Sequence, residues 1–291
     1  MSSTILPAKR QLGPGDPAYE PLVDRRARTV RVAAGTSWEE IDAVTSPLGL
    51  ATPGDVGHLT RRFGLAGDNL LEADVMFAGG RVLRAAPDEH PGLYWALRGG
   101  AELGHVTSSL HRLHELGPVV GGPTYWPIEH ADVVLRAYRE FLPAAPRTLT
   151  GAFTLRRVPF PDERRVCGVL WCADSEEAIQ PFLDALPEPL LHGVQPLPHT
   201  VLRRTFAASG ERSYLRELPA ALPDTVTLYP VDGAGHDLAC GDTAWPHRGA
   251  NWCAVSPVRL EAPGPLADGW ECAGEIAERL AAMHAAYRTA R

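Results

Sequence analysis

Lysine is almost missing from this chain. Lys9 is the only one, so all the other members of the 28 Lys+Arg are arginines, set against 35 Asp+Glu for a net charge of -7. The arginines are scattered, and an acidic total without a basic stripe excludes a nucleic-acid-binding reading. No apolar run approaches the ~18–20 residues of a membrane span, so no membrane partner is expected. The first twenty residues lack the apolar core of a secretory signal, and a cytoplasmic location follows as an expectation. The five cysteines, Cys167, Cys172, Cys240, Cys253 and Cys272, include no CxxC pair. An odd, dispersed set reads as reduced, buried thiols rather than a disulfide framework or a zinc site. There is no HExxH among the 11 histidines, so no metal is expected. No GxSxG elbow surrounds His199-Thr200 or Ser209, which excludes a serine hydrolase. Gly99-Gly100 matches neither GxGxxG nor the phosphate-loop spacing, and alone it reads as a helix end and turn.

Turn formers, by contrast, are plentiful. Glycine (28) and proline (27) make up about a fifth of the 291 residues, where ~12% is ordinary. They are dispersed, which predicts shaped loops rather than disorder. The alternation Val30, Val32 predicts a strand, and Ser37-Trp-Glu-Glu40 has capping-box spacing for a helix that Pro47 stops. Residues 73–86 predict a hairpin about Gly79-Gly80. Asp88 is placed to cap a helix through Leu97, and 106–113 predicts another strand. The second half alternates strands (119–126, 152–158, 166–172, 225–229, 252–258) with helices over 132–142 and 175–186. Ile179, Phe182, Leu183 and Leu186 share one face of the latter. The hairpin-sized link between the strands at 152–172 predicts an antiparallel sheet backed by helices, an α+β architecture. A last helix over 273–287 carries Ile276, Leu280, Met283 and Tyr287 in its apolar stripe.

Several ordered strings then carry a resemblance. Val30-Arg-Val-Ala-Ala-Gly-Thr-Ser-Trp38, Leu48-Gly-Leu-Ala-Thr-Pro-Gly54, Phe63-Gly-Leu-Ala-Gly-Asp-Asn-Leu-Leu71, Tyr94-Trp-Ala-Leu-Arg-Gly-Gly100 and Val106-Thr-Ser108 are followed by Tyr138-Arg-Glu-Phe-Leu142 and Ala244-Trp-Pro-His-Arg248. In this order and at these spacings they resemble the berberine-bridge-enzyme-like FAD-linked oxidases over roughly residues 28 to 260. The resemblance implies a truncated, degenerate member lacking the N-terminal FAD subdomain. It implies an irregular leader at 1–27, a remnant of the FAD-binding domain at 28–116, a helix-covered antiparallel substrate domain at 117–260, and a C-terminal helix at 261–291 returning to the remnant.

Against that family the chain has lost glycines at Asp55-Val-Gly-His-Leu-Thr-Arg-Arg62, carries Ala101-Glu-Leu-Gly104 after Arg98-Gly-Gly, and shows no flavin-attaching histidine in its leader. Missing glycines remove the close backbone approach that a pyrophosphate needs. The expectation is therefore that no cofactor is bound, with noncovalent FAD as the alternative. The function expected is a cofactor-independent cyclase or isomerase of natural-product biosynthesis, of polyketide-like substrates, with a Diels–Alder-type cycloaddition as one form. An FAD-dependent oxidoreductase and an inert scaffold are the alternatives. Positioning alone can remove several kcal/mol of a cyclisation barrier. By position in the resemblance, Tyr229, His247 and Asp232 are the candidate catalytic residues, and Trp245, Trp252 and Trp126 would line a pocket for an apolar small-molecule substrate.

Overall fold

The computed structural model describes residues 20–99, 103–159, 163–218, 222–258, 260 and 273–289. Asp24 starts the fold by accepting from the N–H groups of Arg26 and Ala27 at 2.9 and 2.8 Å. The turn so made folds β1 (Leu22–Asp24) back on β2 (Thr29–Ala33), with Val23 opposite Val30. Residues 22–24, expected to be irregular, are thus a strand. Ser37 and Glu40 form the predicted reciprocal cap on α1 (Trp38–Thr45), which supplies partners for two otherwise orphaned N–H groups. There follow β3 (Leu50–Ala51), α2 (Thr60–Phe63), β4 (Leu70–Met76), β5 (Val82–Ala85), α3 (Pro91–Leu97), β6 (His105–Arg112) and β7 (His114–Glu115). Gly79 and Gly80, at φ 87° and 81°, make the predicted turn between β4 and β5, a left-handed backbone that side chains resist. The five-stranded sheet runs β1-β2-β6-β4-β5 and is antiparallel throughout.

The rest of the chain adds β8 (Val119–Pro127), α4 (Ala131–Ala144), β9 (Thr150–Val158), β10 (Arg164–Ala173), α5 (Gln180–Asp184), β11 (Leu191–His192) and β12 (Gln195–Leu197). It continues through α6 (His199–Thr205), β13 (Glu211–Leu215), β14 (Val226–Pro230), β15 (Trp252–Ser256) and α7 (Ala273–Thr289). The second sheet runs β11-β8-β10-β9-β14-β15-β13, with β12 also on β8, again antiparallel. β14 lies beside β9, Leu228 opposite Phe153, so the α+β class holds. The helix expected over 175–186 is shorter. Pro181 has no N–H to give the preceding turn, and a 3-10 turn at Glu176–Ala178 hands over to α5 there.

Strand alternation assigns each face of the large sheet its job. Trp126, Phe153, Leu155, Val169, Trp171, Leu228, Trp252 and Ala254 enter the core under α4 and α5, joined by Val134, Tyr138, Ile179 and Phe182. Their odd or even neighbours, Ala152, Leu170, Cys172, Tyr229, Cys253 and Val255, face the other way, toward the first half of the chain. α7 lays Ile276, Leu280 and Met283 against α3 and the small sheet, with the Arg279 guanidinium 3.9 Å from the Trp95 ring centre. The Tyr287 side chain lies outside the described residues, as do Ala101, Glu102 and Cys272.

The thiols are of two kinds. Cys167, Cys172 and Cys253 are free and buried, and burial pushes them up to about 12, about 12 and about 11. Cys240, exposed on a loop, is disulfide-bonded, which corrects the expectation of reduced thiols throughout. Its exposure leaves it no apolar core to shelter in. Among the described residues no helix is long and apolar enough to cross a membrane.

Candidate functional site

Two adjoining cavities open where the cavity-facing side of the large sheet meets the small one. The larger measures about 660 Å³. Its floor is Val32, Ala73, Val106 and His111 of the small sheet, its walls are Leu65, Leu70 and Trp38, and its roof is Tyr214, Trp245 and Arg248. The smaller, about 240 Å³, is lined by His58, Arg203, Phe206, Arg212, Tyr229 and Cys253 among others. Trp38, Asp55, Val56 and Arg212 belong to both and form the junction.

The roof is held by charge buried behind it. Arg248, 2% exposed, donates two hydrogen bonds to Asp68 and others to Gly235 and Thr243. Such a fork fixes geometry as well as supplying energy. The Trp245 ring lies 5.1 Å from the Arg248 guanidinium, and His247 stacks on Tyr214 at 4.2 Å and 15°. Trp245 stands edge-on to both. Opposite it, Gly99 has φ +142°, and a Cβ there would fall 2.4 Å from the Trp245 Cβ. Position 99 is therefore glycine because the roof loop at Trp245 passes directly over it. Arg98 rests on Tyr94 and is tied through Nε to the Gly67 carbonyl.

Two histidines and two tyrosines in the cavity walls are held neutral among these charges. His111, which makes a contact through Nε2 with Ser109 at 2.9 Å, has a buried Nδ1 without a partner, and burial lowers its pKa to about 4. His58 is 5% exposed. Burial, then Arg203, then His199 lower it to about 3. Burial pushes the Tyr214 phenol up to about 12 and raises Tyr229 further. At neutral pH these are hydrogen-bonding groups, not charges.

The six residues singled out from sequence do not converge. Trp245 is in the large cavity and His247 stacks behind it. Tyr229 lines the small cavity, but its hydroxyl donates to the Phe206 carbonyl. Asp232 accepts from Arg61 Nε at 2.8 Å, and Arg61, 1% exposed, also donates to the carbonyls of Ala145, Pro146 and Leu149. Trp126 and Trp252 are on the opposite face, in the helix-covered core. Residues that sequence reading missed include Arg212 and Tyr214 on β13, His58, His111 and Arg203. The alternation Arg212, Tyr214 against Ser213, Leu215 is a faint strand signal, too polar to stand out. Nothing local in the sequence marks His58 or His111 as cavity-facing.

No family model matches the chain. Curated proteins do match part of it. It is 37% identical over 113 residues to the "FAD-linked oxidoreductase pgmH" of Aspergillus terreus, covering 33% of this chain and 23% of that protein. It is 32% identical over 142 residues to the "FAD-dependent monooxygenase FUP4" of Fusarium proliferatum (strain ET1), covering 43% and 28%. The matched part thus spans about a quarter of these relatives. Among solved structures, the BBE-like #28 protein of Arabidopsis thaliana superposes with TM-score 0.66 at 20% identity, over 80% of this chain and 60% of that one. The 6-hydroxy-D-nicotine oxidase of Arthrobacter nicotinovorans gives 0.61 at 20%, over 92% and 68%. The fold is that of the berberine-bridge-enzyme-like proteins. By sequence the chain is a relative of the FAD-linked oxidoreductases.

That relationship overturns the cofactor-free expectation. The relatives matched over this part of the chain are named for FAD. The inference from the lost glycines at 55–62, the Ala101-Glu-Leu-Gly104 string and the leader without a histidine failed because it counted only what is lost, whereas a cavity remains that draws its lining from both sheets.

Proposed function

We propose that the large cavity holds the flavin of an FAD-linked oxidoreductase, noncovalently, and that the substrate is an apolar small molecule. The observation that carries the reading is the cavity itself, since about 660 Å³ sits well within the ~300–1,000 Å³ of ligand sites. The lining fits the group. Leu65, Leu70, Val106 and Trp245 offer flat apolar walls to a ring, His111 offers an unpartnered buried Nδ1, and Arg98 offers a cation for phosphate. A bound flavin supplies a two-electron acceptor. The chain's own part is to bind it, to shield it under Trp245, and to orient it from the rigid Arg248–Asp68 support.

A cyclisation or isomerisation of such a substrate is the second reading, favoured by the apolar character of those same walls, which can position without chemistry. Titration with FAD, followed by desalting, tests the first. Retained flavin absorbance, and binding weakened about tenfold or more in Arg98→Gln, is the expected result. The absence of saturable binding up to about 1 mM would sink it. Anaerobic bleaching of the bound flavin by a substrate marks oxidation, whereas product formed without bleaching marks the redox-neutral reaction.

A further inference from the structure

The small cavity is unlike the large one. In about 240 Å³ it gathers two guanidiniums, Arg203 and Arg212, and the buried imidazole of His58, among Phe206, Leu59 and Val255. The Nε2 of His58 is buried and has no hydrogen-bond partner, a costly state for a polar atom to be left in. Arg203 is spoken for: it donates to both oxygens of Asp42 at 2.7 and 3.3 Å and to the Thr52 carbonyl at 3.1 Å. Arg212 is held more loosely, by a hydrogen bond with the uncharged Tyr214 phenol that leaves its charge uncompensated. Its ion pair is with Asp55, 3.5 Å away, and the side chains are 44% and 66% exposed, so the carboxylate sits on it at the rim and is free to leave.

We propose that this cavity is the subsite for a carboxylate carried by an otherwise apolar substrate, which displaces Asp55 from Arg212 and accepts a hydrogen bond from the His58 Nε2. The shape suits it, because the junction through Trp38, Asp55, Val56 and Arg212 joins the two cavities, so that a molecule anchored in the small one abuts the occupant of the large one. The charge suits it too. Asp42 neutralises Arg203, and the displacement of Asp55 leaves Arg212 as an uncompensated cation facing the ligand. A neutral imidazole donor beside a guanidinium reads a carboxylate oxygen without adding a second buried charge, which would need its own partner. The inference deepens the oxidoreductase reading by naming a substrate class, and rests on it only in calling the ligand a substrate.

Phenylacetate and its neutral counterpart phenylacetamide are the probes, titrated calorimetrically into the whole chain. Phenylacetate should bind and phenylacetamide bind at least about tenfold more weakly. Arg212→Gln should weaken phenylacetate about tenfold or more, while Asp55→Asn should tighten it about two- to fivefold by removing the competitor. His58→Phe should weaken it, and His58→Gln, which keeps a donor, should recover most of the loss. Equal affinity for the two probes, or unchanged phenylacetate binding in Arg212→Gln, would overturn the subsite. Arg212 and Asp55 are at the surface, so their variants remain informative if the His58 variants do not fold. FAD titrated into the same samples separates the two claims. Carboxylate binding with these dependences but no FAD binding leaves the subsite standing and removes the flavin reading, and the reverse pattern removes the subsite alone.

Discussion

The two faces of the large sheet share strands but not chemistry. On β14 and β15, Leu228, Trp252 and Ala254 close a dry core under α4 and α5. One residue along, Tyr229, Cys253 and Val255 face the cavities. A strand turns each successive side chain to the opposite face, so a function carried on this sheet is decided by parity. Parity puts Trp252 on the core side, while Trp245, on the loop that precedes β15, reaches the cavity side.

The sharpest way to break this contrast is Trp252→Ala. It should cost about 3–5 kcal/mol of stability, as large core truncations do, measured by urea unfolding, with FAD affinity unchanged in the folded fraction. Loss of FAD binding from a stably folded variant would erase the distinction between faces. Next comes Asp232→Ala, which removes a charged acceptor from buried Arg61 and should cost about 1.5–3 kcal/mol. If it instead left stability intact and abolished turnover, Asp232 would be catalytic rather than structural.

The cavity side carries much of the acid sensitivity, with His114 of β7, lowered by burial and then by Arg112 to about 4, adding to it from outside the cavities. His58 and His111 have folded pKa values lowered to about 3 and about 4 from 6.5. Between those values and 6.5 the unfolded chain binds the more protons, so the contribution to stability is full above about pH 6.5 and is lost as pH falls. The slope is up to about 1.4 kcal/mol per pH unit for each group. His58→Gln and His111→Gln should each flatten the stability profile between pH 4 and 6.5, and an unaltered profile in both would place the titrating groups elsewhere. The smallest effect is expected from Tyr229→Phe, about 0.5–1.5 kcal/mol for one hydrogen bond, with FAD binding retained. A large kinetic defect there would return the phenol to the chemistry.

Much of this fold was legible because its signals are local. The capping box at Ser37, the Gly79-Gly80 turn, and the runs that became β8, β9, β10, β14 and β15 are each written in neighbouring residues. The helix that apolar spacing predicts over 175–186 is shorter because Pro181 interrupts its first turn. The site was much less legible. Tyr229, Asp232, His247 and the three tryptophans owe their candidacy to their place in a resemblance, which says nothing of what each side chain meets. Tyr229 meets a carbonyl seen only once α6 is in place, and Asp232 meets an arginine 171 positions earlier in the chain. His58, Arg203 and Arg212 come from three separate elements and meet only in three dimensions.

Arg61 has a consequence for how the molecule moves. Its guanidinium leaves from α2 in the first half and is received by Ala145, Pro146, Leu149 and Asp232 in the second. Prying the two sheets apart would strip a buried cation of four acceptors at once, and a charge so stranded is heavily penalised. The halves are therefore bolted rather than hinged. The side chains placed to give way to a ligand are then those at the rim, where Asp55 and Arg212 are 66% and 44% exposed.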